Sequence, residues 1–93
     1  MKFVLIIHEV EDYSLWKVMF DNASGIRKQA GELSYQLMKF ESHSNKIVHL
    51  SVWTSHKQAK DFFESSLLMK IRKDAGVKQP EFMYLEQLES AIL

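Results

Sequence analysis

The sequence predicts an α+β domain in which helical connections cover one face of a four-stranded antiparallel sheet. Its 93 residues fit a single domain, residues 1–93, and their hydrophobic patterns follow the order β-α-β-β-α-β. That order is the ferredoxin-like plan, in which each helical region connects two strands of one sheet. Several strands are apolar on both faces, although the helices can cover only one. We therefore expect a homodimer in which a second copy of the chain covers the other sheet face.

The first half of the chain predicts a strand, a helix and a second strand. Phe3 to Val10 is apolar on both faces, as in a strand covered from both sides. Asp12 stands where a helix N-cap is needed for a helix from Tyr13 to about Ala30. Gly31 is expected to end that helix, and Leu33 to Glu41 forms the second strand. Poor helix formers predict a kink or break within the helix: Asn22, Ser24 and Gly25.

The second half repeats the pattern after a hairpin turn predicted at residues 42–45. The third strand runs from Lys46 to Thr54. Ser55 begins a capping-box pattern at the start of the second helical region. Two serines at 65–66 divide this region into two helices. The fourth strand is Phe82 to Leu88.

Composition and charge restrict the classes of function. Lysine plus arginine equals aspartate plus glutamate at twelve each, so the formal net charge is zero. Nucleic acids and anionic membranes select basic surfaces, and we expect neither as a partner. The absence of cysteine excludes disulfides, zinc–thiolate sites and a cysteine nucleophile, and it fits a reducing compartment. No stretch is apolar enough for a signal-peptide core or a membrane span, so we expect a cytoplasmic protein. We expect no metal or other cofactor, because no helix carries a His-x-x-x-His pair and no phosphate loop or dinucleotide motif is present.

The third strand carries the main candidate site, because its alternate side chains form two unlike faces. One face is aliphatic: Val48, Leu50 and Val52. The other is apolar but carries an imidazole, a hydroxyl and an indole: Ile47, His49, Ser51 and Trp53. We expect the helices to cover the aliphatic face. The face with the polar groups is then the floor of a small-molecule pocket or a dimer interface.

Histidine supplies the candidate chemistry. A histidine that titrates near neutral pH can take a proton from a phenol or an enol, so His49 is the candidate catalytic base and His8 is a second candidate. The alternative is that His49 only hydrogen-bonds across the dimer interface. Arg27 lies in the core-facing stripe of the first helix, so it either extends to the surface or pairs with a carboxylate. The candidate substrate-binding residues are Trp53, Ser51, Tyr35, Tyr84, Trp16 and Arg27.

Several short stretches resemble the dimeric α+β barrel proteins, and within them the antibiotic biosynthesis monooxygenase-like group with its small cyclase-like members. The stretches extend over nearly the whole chain: residues 8–16, 20–21, 27–31, 52–53, 59–62 and 75–77. The resemblance implies a homodimer with a pocket in each subunit. The group includes cofactor-free quinol-forming monooxygenases, heme-degrading enzymes and members without known activity. Trp53 falls where the heme-degrading members carry a tryptophan, but residues 68–73 lack the histidine that would bind iron.

Two functions from different classes follow. The first is a cofactor-independent monooxygenase-like or cyclase-like enzyme that acts on a small aromatic or polyketide-like substrate. The second is a non-catalytic dimeric module that binds a small molecule or acts in a stress response. A cavity of a few hundred Å³ that includes His49 would favour the enzyme.

Overall fold

The computed structural model describes all 93 residues and contains four strands and four helices. In chain order they are β1 Lys2–Glu9, α1 Tyr13–Asn22, α2 Ser24–Ala30, β2 Glu32–Phe40, β3 His43–Trp53, α3 His56–Phe63, α4 Ser66–Asp74 and β4 Glu81–Glu86. The strands form one antiparallel sheet in the order β2-β3-β1-β4. The predicted ferredoxin-like α+β fold is therefore confirmed. The longest helix, α1, has ten residues, and no helix is long and apolar enough to cross a membrane.

The helix ends follow the predicted capping signals. The Asp12 carboxylate accepts a hydrogen bond from the Leu15 N–H at 3.2 Å, and the Ser55 hydroxyl caps α3 in the same way. The first helical region breaks at Ala23, next to the predicted helix breakers. Ser65 caps α4, which confirms the predicted division of the second region. Each crossover is thus a pair of short helices.

The β2–β3 hairpin is tighter than predicted. Its turn consists of residues 41–42, and β3 begins at His43, whereas the sequence predicted a turn over residues 42–45. His43 therefore lies in the strand and not in the turn. The prediction was wrong because this end of β3 is mostly exposed, so polar residues that resemble a turn are tolerated in the strand. The fourth strand likewise ends at Glu86, before the predicted Leu88.

The helices cover the sheet face that carries His49, which contradicts the predicted facing of β3. Ile47, His49, Ser51 and Trp53 are at most 2% exposed beneath the helices. The aliphatic side chains predicted to lie there, Val48, Leu50 and Val52, are half-buried on the opposite face. Alternation separates the two sets of side chains but does not say which set the helices cover. His49, Ser51 and Trp53 each have a hydrogen-bond partner within the chain, so these three groups need no second subunit to pair them.

Gly31 joins α2 directly to β2. Its φ of 123° lies in a region that L-residues with a side chain rarely adopt. A Cβ at this position would lie 2.6 Å from the Thr54 hydroxyl oxygen, and the Gly31 carbonyl accepts a bond from the Thr54 N–H at 3.0 Å. This sharp connection brings the last turns of α2, which contain Arg27, next to Glu32 at the start of β2.

Candidate functional site

A buried ionic triad links α2, β2 and β3. Arg27 Nε donates to Glu32 Oε1 at 2.7 Å, and His49 Nε2 lies 2.8 Å from Glu32 Oε2. All three side chains are at most 5% exposed. Arg27 also donates to the Phe20 carbonyl, and its guanidinium lies 3.7 Å from the centre of the Phe20 ring. Arg27 is therefore paired with a buried carboxylate, and the alternative that it extends to the surface is wrong.

The triad determines which nitrogen of His49 is free to react. An ionised carboxylate only accepts hydrogen bonds, so the proton of the neutral ring lies on Nε2, next to Glu32. Nδ1 is then left with its lone pair. A carboxylate in this position also fixes the orientation of the ring and stabilises the imidazolium that forms when the ring gains a proton. His49 is thus arranged to accept a proton at Nδ1.

His8 lies beside His49 and has no hydrogen-bond partner at Nδ1. It is 6% exposed, it faces the helices, and its ring centre lies 6.3 Å from that of His49. Burial, together with the nearby His49 and Arg72, lowers the pKa of His8 from its ordinary value of 6.5 to about 3. The ring is therefore neutral at neutral pH and offers one unused polar atom.

A cavity of about 50 Å³ lies between these histidines and the helices. It holds roughly three or four water-sized molecules, far less than the few hundred Å³ expected for an enzyme pocket. Four predicted site residues contribute to its wall: His8, His49, Trp16 and Arg27. Trp16, at 3% exposed, and Phe20 stack with ring centres 4.9 Å apart and form an aromatic side of the cavity.

The other predicted site residues lie outside this cavity. The Trp53 indole N–H donates to the Ser51 hydroxyl at 2.8 Å, and that hydroxyl donates to the Val4 carbonyl at 3.3 Å. The indole packs in a core cluster with Phe63. Trp53 and Ser51 therefore satisfy each other inside the core, and their contact with a substrate stays a prediction that this packing does not favour.

The two tyrosines take different positions. Tyr35 is 44% exposed and meets the His49 ring edge-on, with 5.7 Å between the ring centres, so it separates His49 from solvent on the β2 side. Tyr84 lies on β4 beside His56, with 5.8 Å between their ring centres. It is not among the residues that line the cavity. Of the two, only Tyr35 contacts the candidate base.

Two residues of the site were missed in the sequence. Glu32 resembles an ordinary exposed charge at the start of a strand. The signal that could have identified it is Arg27, because a buried arginine requires a carboxylate and Glu32 is the nearest one along the chain. Arg72 stands in a segment of mixed charges, which is typical of a solvent-exposed helix face, but it is half-buried and contributes to the cavity wall. Its spacing from Leu68 and Ala75, both buried, is the helical signal that could have identified it.

Fold and site together define a ferredoxin-like α+β domain with a histidine–carboxylate pair beneath its helices. No family model and no curated protein matches this chain. Solved structures do match. SnoaB, a cofactor-independent oxygenase from Streptomyces nogalater, superposes with a TM-score of 0.74 at 13% identity, over 96% of this chain and 93% of its own.

Two further solved structures have the same fold. A Caulobacter crescentus protein assigned to the antibiotic biosynthesis monooxygenases has a TM-score of 0.71 at 18% identity, over 95% of this chain and 90% of its own. Rv0793 from Mycobacterium tuberculosis has a TM-score of 0.68 at 16% identity, over 99% of this chain and all of its own. The predicted resemblance to the antibiotic biosynthesis monooxygenase-like proteins is thereby confirmed as a likeness of fold.

Proposed function

We propose that this protein is a cofactor-independent monooxygenase-like enzyme that acts on a small aromatic or polyketide-like compound, with His49 as the base. The observation that carries the proposal is the buried His49–Glu32 pair at the edge of a cavity. Buried ion pairs contribute little net stability compared with apolar side chains of the same size. A buried charged triad next to a cavity is therefore more readily explained by chemistry than by packing.

The proposed reaction begins when His49 Nδ1 takes a proton from a phenol or enol of the substrate. The anion that forms donates electrons to O₂, a carbon–oxygen bond forms, and the O–O bond then breaks. One oxygen atom stays in the product and the other leaves as water, with all electrons supplied by the substrate. His8, which is neutral, is available for a hydrogen bond to the substrate, and Trp16 and Phe20 provide apolar faces that exclude water.

The size of the cavity requires its wall to move when an aromatic ring enters. At about 50 Å³ it has room for O₂ but not for a ring and its substituents. Ala23, where α1 breaks from α2, lies in the wall, as does the flexible side chain of Met19. We therefore place substrate entry at the α1 side of the cavity, with the break at Ala23 as the hinge.

We also propose that the protein acts in the cytoplasm as a homodimer. The dimer forms through the sheet face opposite the helices. Apolar side chains from three adjacent strands occupy this face: Phe3, Leu5, Ile7, Val48, Leu50, Val52, Met83 and Leu85. No helix covers them, and a contiguous apolar patch of this kind is unusual on a monomer. The proposed interface is thus apolar and does not use His49, which leaves one complete cavity within each subunit.

A second candidate function is a dimeric module that binds a small molecule without converting it. It is favoured by the small cavity and by the mutual pairing of Arg27, Glu32 and His49, which together could simply stabilise a polar core. Native mass spectrometry of the purified protein would identify a ligand that copurifies with it. A ligand recovered unchanged from a wild type that consumes no oxygen would favour this module.

Oxygen consumption with simple hydroquinones and anthrones tests the enzymatic proposal. His49→Ala should lower the rate by about 100-fold or more, because it removes a general base. His43→Ala is the matched control: it removes a half-exposed histidine from the same strand and should leave the rate unchanged. Far-ultraviolet circular dichroism verifies that both variants fold. Equal rates for folded His49→Ala and wild type would exclude His49 as the base.

A further inference from the structure

Arg72 on α4 is a charged residue that the proposed reaction does not use. Arg72 is half-buried and contributes to the cavity wall, and none of the ion pairs in the protein includes it. Its one hydrogen bond within the chain goes from Nη1 to the Phe63 carbonyl at 3.0 Å. A guanidinium carries five N–H donors, so most of its bonding capacity is unused by the protein. The guanidinium also lies 5.4 Å from the centre of the Phe82 ring, but no carboxylate pairs with it.

His8 supplies a second unused polar group to the same cavity. The residue is 94% buried, and its Nδ1 has no hydrogen-bond partner. Buried polar atoms without a hydrogen bond are rare and call for an explanation. Both residues line this cavity, and Arg72 is close enough to contribute to the lowered pKa of His8.

The cavity contains no acceptor that could satisfy these two groups. No aspartate or glutamate lines it. The Glu32 carboxylate already accepts one bond from Arg27 and one from His49. The surroundings are otherwise apolar, and a low dielectric strengthens the attraction of an unpaired cation for an anion. The cavity thus offers an arginine without a counter-ion and a histidine nitrogen without a hydrogen-bond partner, and a small anion could pair with both.

We propose that the cavity binds a carboxylate group of the ligand between the Arg72 guanidinium and the Nδ1–H of His8. The planar guanidinium can donate two parallel bonds to a carboxylate, and the neutral His8 ring can place its proton on Nδ1 to donate a third. A volume of about 50 Å³ suits a carboxylate and one or two further atoms. This inference depends on the proposed function only for the claim that the bound acid is a substrate.

Binding of small acids to the wild type is the primary test. Sodium acetate should bind saturably in calorimetric titrations and shift the ring nitrogen resonances of His8, whereas acetamide, which has the same shape without the charge, should do neither. Benzoate distinguishes the source of the carboxylate. Binding of acetate alone indicates a small free acid, and binding of both indicates the acid group of an aromatic compound. No saturable acetate binding by folded wild type would overturn the proposal.

Two variants on α4 separate a specific site from general charge attraction. Arg72→Gln should weaken acetate binding by about 10- to 100-fold, the loss expected for a charge-assisted hydrogen bond. Lys73→Gln removes the neighbouring cation, which is exposed and does not line the cavity, and should leave the affinity unchanged. Equal weakening by both variants would overturn the site. If Arg72→Gln does not fold, the His8 resonances of the wild type decide the question.

The outcome is independent of the proposed oxygenase activity. Absence of acetate binding together with oxygen uptake that depends on His49 would remove the carboxylate site and leave the enzyme. Acetate binding together with no oxygen uptake would keep the site and favour the non-catalytic module.

Discussion

Removal of the Glu32 carboxylate should cost this protein a large part of its stability. Glu32→Ala leaves Arg27, which is 4% exposed, without its counter-ion and leaves the Nε2–H of His49 without an acceptor. Breaking a buried ion pair by removing one partner costs about 3–5 kcal/mol, because the remaining charge stays buried and uncompensated. A domain of this size has a total stability of roughly 5–14 kcal/mol. The loss is therefore between about a fifth and the whole of the total.

Two related variants separate charge from packing. Glu32→Gln keeps the shape and part of the hydrogen bonding, so its loss should be smaller, about 1–3 kcal/mol. The double variant Arg27→Met with Glu32→Leu removes both charges and retains apolar volume, so it should be clearly more stable than Glu32→Ala. Asp74→Asn is the surface control: it breaks an ion pair with Lys70, whose side chain is 75% exposed, and should have little effect.

Urea denaturation followed by circular dichroism measures these differences. With a slope of about 1 kcal/mol per molar urea, the midpoint of Glu32→Ala should fall by roughly 3–5 M, enough to approach unfolding in buffer. A loss no larger than that of Asp74→Asn would contradict this prediction, since it would mean that water reaches the Arg27–Glu32 pair. A double variant no more stable than Glu32→Ala would show that the loss comes from packing and not from charge.

Two further predictions concern pH and assembly. The pKa of His8 is about 3 in the folded protein, whereas an unburied histidine, as in the unfolded chain, has a pKa of 6.5. Between these two pH values the unfolded chain therefore binds more protons than the folded protein. The free energy of unfolding should then rise with pH by up to about 1.4 kcal/mol per unit between them, and His8 should contribute no slope above that range. His8→Asn should remove this slope and His43→Asn should not; an unchanged slope in His8→Asn counts against the burial of an uncharged ring. For the dimer, sedimentation equilibrium should give about twice the 10.9 kDa chain mass for wild type and a monomer for Leu50→Lys, with Val18→Lys on the exposed side of α1 as the control. A wild-type monomer would contradict the interface.

The order of the elements was predictable because each has a local cause. Asp12, Ser55 and Ser65 accept bonds from N–H groups one turn into their helices, and these caps can be read from neighbouring residues. Gly31 ends α2 with a φ of 123°. Such signals act over a few residues, so they need no knowledge of the tertiary structure.

The facing of β3 and the composition of the site were not predictable in the same way. Both faces of β3 are apolar enough for burial, so the polar tips of His49 and Trp53 suggested a face away from the helices. These groups can be buried beneath the helices because each has a partner there. His49 pairs with Glu32, which lies 17 residues away in the chain, and the Trp53 indole N–H donates to Ser51. Burial of a polar group depends on whether it is paired, and the partner of His49 is brought into place only by the β2–β3 pairing.

The Arg27–Glu32–His49 triad also constrains how this sequence can change during evolution. Loss of the carboxylate alone leaves one buried charge without compensation, and loss of the guanidinium alone leaves the opposite charge in the same condition. Each single replacement therefore passes through an unstable intermediate, whereas replacement of the charged pair as a unit does not. In descendants of the same ancestor, these positions should covary, and a chain that has lost Arg27 should also have lost Glu32.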